Sequence, residues 1–337
     1  MIYSDTRDSQ TIEAASTNAV TLAYSVIIEW ENVLLAESSR AVEMLRRLSN
    51  QIRSLREKGV EGEIIVARDA DNRSTEPLDR VFQAALGAAS VPVREVEARD
   101  KRYYEKKNEG AAAANGAVIV FLDSDVIPED QWLERLLSSF SRRDVAVVAG
   151  STYVEPVTRY AKAVAAFWFF PPRSSEEGLI PADMIFGNNV AFRREVFLAH
   201  PFPVVNQYRG QMGLLADELR EKGFGIFLQR SARCAHPPPN GLVHFFRRAV
   251  CEGHDNIVIG SRSSGRSRLP WRYTYWSIHS WLRASFRAIR ERKRVLNLSN
   301  MDVLAASSIA LCYIAFMVLG EIMTRIDSSS VPRRFSI

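Results

Sequence analysis

The sequence has little of what builds covalent or metal-stapled scaffolds. Only three cysteines, Cys234, Cys251 and Cys312, occur in 337 residues, with no CxxC pair and no Cys/His spacing typical of structural zinc. This odd, scattered set excludes a disulfide framework and fits a reducing compartment. The polar stretch from Met1 to Asn18 lacks the apolar core of a secretory signal, so residues 1–20 read as a flexible leader that stays in the cytosol. Excess charge of one sign is also small, 44 basic residues against 39 acidic ones, and its placement therefore matters more than its size. With 47% hydrophobic residues, the chain does not belong to the disordered class.

What is present is an alternation of short β-rich runs with helical patterns. Tyr24 to Ile28 reads as a strand and Ala36 to Leu55 as a helix; Glu63 to Ala67, Val91 to Val96, Ala117 to Leu122 and Val145 to Ala149 read as further strands. Helices are expected over Leu78–Leu86 and over the Ala-rich Glu109–Asn115. Another should be opened by Pro128, Glu129 and Asp130 and run to Phe140. Unbroken Val/Ile runs suit a mostly parallel, Rossmann-like α/β sheet covered on both faces by helices. Ligands of such sheets bind beyond the carboxyl ends of the strands, so Glu29, Asp69 and Asp123, each at or just past a strand end, should share one crevice.

This catalytic unit is expected over residues 21–245. The aromatic run Phe167 to Phe170 reads either as core or as the wall of an acceptor site. Beyond His236 and the prolines Pro237 to Pro239 the pattern changes. Residues 246–300 are basic and aromatic, Ser261 to Ser267 reads as a linker, and Trp271 to Arg294 reads as an amphipathic helix in a membrane interface. An uncharged run from Val303 to Gly320, inside residues 301–325, is close to the ~20 residues needed to cross a bilayer. A core helix is the alternative, and residues 326–337 form a tail. The adjoining arginines favour the membrane and its cytoplasmic face, with single-pass or peripheral attachment, over a nucleic-acid partner.

The chemistry concentrates at Phe121-Leu-Asp123-Ser-Asp125. Two carboxylates spaced i, i+2 at a strand end can turn toward one hard cation, and Mg2+ or Mn2+ takes such oxygen ligands together with those of a diphosphate. A simple helix cap is the bland alternative.

Ser25-Val-Ile-Ile28 with Asn32, Glu63 to Val66 with Asp69, Lys107-Asn-Glu-Gly110, and Val120 to Asp125 with Pro128 together resemble the inverting family 2 glycosyltransferases of the GT-A fold. Further on, Gly187 to Arg194 resembles their acceptor-side segment, and Leu219 to Ile226 with Ala232 to His236 resembles their final helix, strand and histidine. The resemblance implies transfer of a sugar from a nucleotide-sugar donor to a saccharide or lipid-linked acceptor, in cell-surface polysaccharide or glycolipid synthesis. It places Asp69 on the base, Asp123 near the ribose and metal, Asp125 on the metal, Lys107 near the phosphates, Asn188 and Asn189 on the acceptor side, and His236 as a third metal ligand. The chain departs from the family pattern at Glu29 and Glu31, where a Pro-Thr-Tyr-like run is usual beside the nucleotide. It departs again at Gln211-Met212, where the family has a Glu-Asp pair that supplies the general base. Asp217 on the same helix is the alternative base, and a donor-binding homologue that has lost its base is the alternative function. A dehalogenase-type phosphatase also carries a DxDxV after an apolar strand. It is disfavoured because three βα units precede Asp123.

Overall fold

The computed structural model describes residues 22–30, 32, 38–69, 93–266 and 269–335. Glu31 and the helix expected over residues 78–86 lie outside these. The first unit is β1 (Tyr24–Glu29), α1 (Ser38–Glu57), β2 (Gly62–Arg68) and β3 (Val93–Glu97). It is followed by α2 (Tyr103–Ala112), β4 (Val118–Asp123), a short β5 (Ile127–Pro128), α3 (Trp132–Ser138), β6 (Val145–Val154) and α4 (Arg159–Phe167). Then come β7 (Leu179–Pro181), β8 (Asn189–Arg193), α5 (Arg194–Ala199), α6 (Gln211–Glu221) and β9 (Gly225–His236). Four helices complete the described chain: α7 (Gly241–Ser264), α8 (Trp271–Val295), α9 (Asn300–Ile326) and α10 (Ser330–Phe335).

One sheet runs β3-β2-β1-β4-β8-β6-β9-β5, with β7 on β9. The expected parallel pairing holds from β3 to β4 and between β6 and β9, whereas β8 runs antiparallel to both its neighbours. β1 and β4 are buried along their whole length, which is why their apolar runs do not alternate. One face is filled by Met44, Leu45 and Leu48 of α1 with Trp132 and Leu136 of α3. The other is filled by Phe121, Phe192, Phe197 and Phe202 with Leu215 and Leu219 of α6. Glu29 pairs in register with Asp123, so two of the three strand-end acids meet at one edge, whereas Asp69 does not line the cavity that Asp123 lines.

Three local expectations are corrected. The helix expected over Glu109–Asn115 is Tyr103–Ala112: it is opened by Glu105, whose Oε2 accepts from the Arg102 backbone N–H (3.3 Å) and Nε (3.0 Å), while the amides of Asn115 and Gly116 are taken by Glu63 Oε1 (2.9 Å) and Ser25 Oγ (2.8 Å). Pro128 does not open a helix. It pairs with Cys234 in the sheet and Glu129 N–H donates to the Arg233 carbonyl, which delays α3 to Trp132. The Ser261–Ser267 linker is largely helix, because α7 continues to Ser264 and ends on Gly265 at φ 63°.

α7 runs unbroken across residues 245 and 246. It packs on α9 with backbones in contact: a Cβ at Gly253 would lie 1.9 Å from the Met317 carbonyl oxygen, and one at Gly320 2.0 Å from that of Val250. Ala306, Ala310 and Tyr313 of α9 join Phe245, Phe167 and Trp168 in a third apolar cluster. Phe167 and Trp168 of the aromatic run are therefore core, while Phe169 and Phe170 also line a cavity. α9 is the one helix among the described residues long and apolar enough to cross a membrane. One of its stripes nevertheless carries polar pairs: Glu321 accepts from Ser277 Oγ at 2.7 Å, and Thr324 meets His254 at 3.0 Å. Its other edge exposes Met301, Leu304, Leu311 and Leu319, and α8 exposes Trp271, Tyr275 and Trp276.

Candidate active site

The carboxyl ends of β1 and β4 open into a cavity of about 590 Å³ lined by Asn32, Asp123, Asp125, Asn188, Arg209 and His236, with aromatic and proline walls. The Asp123 carboxylate is held on three sides. Its Oδ1 accepts from Tyr103 Oη (2.5 Å) and Lys107 Nζ (2.6 Å), and its Oδ2 from Asn32 Nδ2 (3.1 Å). Charge-assisted hydrogen bonds of this kind lock an acid in one orientation. Lys107 is fully buried and also donates to the Gly187 carbonyl at 2.5 Å. It acts as the counter-ion beneath Asp123, so the expectation that it faces donor phosphates is not met.

Asp125 is buried as well, and its Oδ1 has no hydrogen-bond partner among the described residues. Burial pushes its carboxyl up to about 7, and the neighbouring Asp123 charge adds to this against the opposing arginines Arg40 and Arg209. A buried carboxylate oxygen without a donor, beside a second carboxylate, suits a cation that would satisfy both. Arg40 closes the floor by donating to the carbonyls of Asp125 and Ala235, each at 3.1 Å.

His236 lines the cavity with its Nδ1 2.5 Å from the Pro237 carbonyl oxygen. A carbonyl only accepts, so the proton is on Nδ1 and Nε2 keeps its lone pair. Burial, helped by Arg248, holds this ring far below the usual histidine range, at about 3. Its state suits a metal ligand, yet among the described residues no three His, Cys, Asp or Glu side chains gather closely enough to cage a cation. Two carboxylates plus ligands from a bound diphosphate are the arrangement the residues fit.

The remaining expected site residues divide. Glu29 is buried beneath the cavity and its Oε2 accepts the Asn32 amide at 3.2 Å, while Asp69 accepts the Asp100 amide at 3.3 Å past β2. Asn188 lines the cavity, but Asn189 points into the sheet, where its Oδ1 accepts from Trp132 Nε1 at 2.8 Å. This is the ordinary alternation of a strand. Gln211 does begin α6, but it is buried and donates to the Gln207 carbonyl; Met212 and Gly213 face the cavity instead. Asp217 is corrected outright. Its side chain is 72% exposed and paired with Arg220 at 2.8 Å, away from the cavity.

Arg209 was not singled out by motif or spacing. Its guanidinium stacks 3.4 Å from the Tyr103 ring centroid and donates to Asn32 Oδ1 at 3.2 Å, so it braces two of the three groups that hold Asp123.

The family model for "Glycosyl transferase family 2" matches residues 37–199. The chain carries a family 2 glycosyltransferase domain. Among curated proteins, it is 30% identical over 89 residues to "Glycosyltransferase AglE" of Haloferax volcanii, covering 26% of this chain and 28% of that protein. It is 25% identical over 141 residues to a "Glucosyl-dolichyl phosphate glucuronosyltransferase" of the same organism, covering 40% of this chain and 44% of the relative. The matched stretches thus span less than half of either relative. Among solved structures, the mannosyltransferase PcManGT of Pyrobaculum calidifontis, in complex with GDP-Man and Mn2+, superposes with a TM-score of 0.55 at 14% identity over 91% of this chain and 88% of that one. The likeness establishes the GT-A fold of this family 2 domain. The Asp123–Asp125 edge falls inside the matched residues, whereas α6 to α10 follow them.

Proposed function

We propose that the protein transfers a sugar from a nucleoside-diphosphate donor to a lipid-linked acceptor at a membrane surface, with inversion, using Mg2+ or Mn2+ held by Asp123 and Asp125. The observation that carries this reading is the buried Asp125 carboxylate, with an unpartnered oxygen, beside the fixed Asp123 carboxylate in an open cavity. A bound cation there would neutralise the leaving diphosphate, a Lewis-acid contribution worth several kcal/mol. Asp123 stays oriented by Tyr103, Lys107 and Asn32. The nucleotide base is assigned to Asp69 at the β2 end by resemblance alone, and Arg209 supplies positive charge next to the acids. Inversion follows from a single displacement at the anomeric carbon.

The GDP-Man and Mn2+ of the superposed mannosyltransferase, and the lipid-linked substrate in the name of one curated relative, point to the same chemistry. Membrane attachment through α8 and α9 is supported by their exposed aromatic and aliphatic edges and by the arginines of α8, and the sign of that charge suits the cytoplasmic face. A synthetic role in cell-surface polysaccharide or glycolipid is consistent with such a location. The second reading, a donor-binding homologue without transfer, is favoured by Met212 and Gly213 standing where a base would face the cavity.

The test is binding and turnover by the full chain in detergent, with a panel of nucleotide sugars and Mn2+. Metal-dependent nucleotide binding with release of nucleoside diphosphate supports transfer. Binding without turnover in any acceptor mixture supports the second reading, and metal-independent binding unaffected by Asp125→Asn refutes the cation assignment.

A further inference from the structure

Among the described residues the only acids lining the cavity are Asp123 and Asp125, and both stand at the metal edge. α6 contributes Met212 and Gly213, and Asp217 faces solvent. Among the described residues, a hydroxyl acceptor would find no carboxylate away from the metal edge to take its proton, a role worth ~10²–10⁴-fold in rate. The cavity instead carries positive charge elsewhere on its wall.

Arg248 and His244 lie one turn apart on α7 and both line the cavity. The Arg248 guanidinium is spread over the rings of Trp168 (5.1 Å) and Phe169 (5.4 Å). Its Nε is buried without a hydrogen-bond partner; Glu252, one turn along α7, feels its charge but accepts its hydrogen bond from Tyr313 Oη. A planar guanidinium stacked on aromatics with its donors unspent is preorganised for a phosphate. His244 Nδ1 accepts the Asn240 amide at 3.0 Å, which leaves the ring proton on Nε2 as a second donor. The apolar part of the lining includes Val157 and Met184, 72% and 70% exposed, beside Phe169 and Phe186, a surface that suits a hydrocarbon chain.

We propose that Arg248 and His244 form an oxyanion site for the phosphate of a lipid phosphate monoester, and that this phosphate oxygen is the nucleophile. The inference rests on the donor reading above. The bond formed is from phosphate oxygen to the anomeric carbon; the bond broken is from that carbon to the donor diphosphate, which leaves with the electron pair. With a second pKa near 6, a phosphate monoester is already largely ionised at pH 7, so no proton has to be removed and no base is required. The loss of the Glu-Asp pair at Gln211-Met212 is then compatible with turnover.

The experiment uses the full chain in detergent with Mn2+ and GDP or UDP, whichever binds, at saturation. It is titrated with farnesyl monophosphate, farnesol and inorganic phosphate. Farnesyl monophosphate should bind about tenfold or more tightly than farnesol and than inorganic phosphate, because only it offers both the anion and the chain. Arg248→Gln should erase the preference over farnesol without weakening nucleotide binding, and Arg248→Lys should restore part of it. With the matching nucleotide sugar, labelled sugar should appear on farnesyl monophosphate and not on farnesol. Equal affinity for phosphate and alcohol overturns the proposal. Displacement of the nucleotide by farnesyl monophosphate also overturns it, assigning Arg248 to the donor diphosphate, and inorganic phosphate binding equally well overturns the lipid source. If neither nucleotide binds with Mn2+, the donor reading falls and takes this one with it, whereas nucleotide binding without a phosphate preference sinks this one alone.

Discussion

Asp255, buried on α7, accepts the backbone N–H of Arg209 at 2.8 Å and, with its other oxygen, that of Tyr208 at 2.7 Å. The segment that carries Arg209 into the cavity is thereby suspended from a helix outside the matched domain. His254, the neighbouring residue, lies 3.2 Å from the Asn206 carbonyl through Nε2 and 3.0 Å from Thr324 of α9 through Nδ1. A chain of contacts thus runs from α7 through Arg209 and Asn32 to Asp123.

Asp255→Asn keeps one acceptor and replaces the other by an N–H pair that faces a backbone donor. The expected result is weaker metal-dependent nucleotide binding, with a stability loss of about 1–3 kcal/mol. Titration calorimetry with Mn2+ and nucleotide checks the first part. Unchanged affinity would mean that Arg209 is held in place by other contacts.

The same carboxyl is pushed up to about 7 by burial, against the two N–H donors. The folded state then binds this proton more tightly than the unfolded chain, so its contribution is fully present below about pH 4 and is lost as pH rises toward 7. The loss approaches about 1.4 kcal/mol per pH unit for one proton. Denaturant unfolding of wild type and Asp255→Asn at pH 5, 6 and 7 checks the sign: the wild-type stability should fall more steeply across this range. A parallel pair of curves assigns the slope to other groups.

Asp125→Asn removes a buried charge beside Asp123. It should raise the unfolding temperature measured in chelator while abolishing the extra stabilisation that Mn2+ and nucleotide give the wild type, since a ligand stabilises only the state it binds. A variant that is both destabilised and still metal-responsive contradicts the cation assignment.

Gln211→Glu and Asp217→Asn test the search for a base. Gln211 is buried with its Oε1 unpartnered, so a carboxylate there should cost stability and add no transfer. Asp217 is on the solvent side, and Asp217→Asn should change turnover by less than about twofold. A rise of tenfold or more in Gln211→Glu, measured with a hydroxyl acceptor, would restore the hydroxyl mechanism.

Gly253→Ala and Gly320→Ala place a methyl group against a backbone carbonyl of the facing helix, which cannot give way as a side chain can. Each should cost about 1–3 kcal/mol by thermal or denaturant unfolding. Gly213→Ala meets open space on α6 and should gain up to about 1 kcal/mol from helix propensity. Removal of residues 300–337 should expose Phe245, Phe167 and Trp168 and cause aggregation, because α9 covers them.

Strands β1 to β4 and β6, their order as βα units and the acidic pair at Asp123 and Asp125 were legible because unbroken apolar runs are local properties of the chain, whereas the short β5 and β7 and the antiparallel β8 were not read. The meeting of Glu29 and Asp123 was legible for the same reason, since both end parallel neighbours. Helix limits shifted wherever a distant group captured a backbone amide, as Glu63 and Ser25 did at Asn115 and Gly116. The sequence by itself determined the α/β class, the strand-end acids and the absence of a carboxylate at Gln211. Only the tertiary structure decided that Lys107 lies under Asp123, that Asp217 faces water, and that α7 brings Arg248 and His244 to the cavity and Asp255 to the segment that carries Arg209. These placements depend on contacts between residues far apart in the chain, up to 91 positions for Asn32 and Asp123 and 177 for Arg209 and Asn32, and no local periodicity encodes such distances.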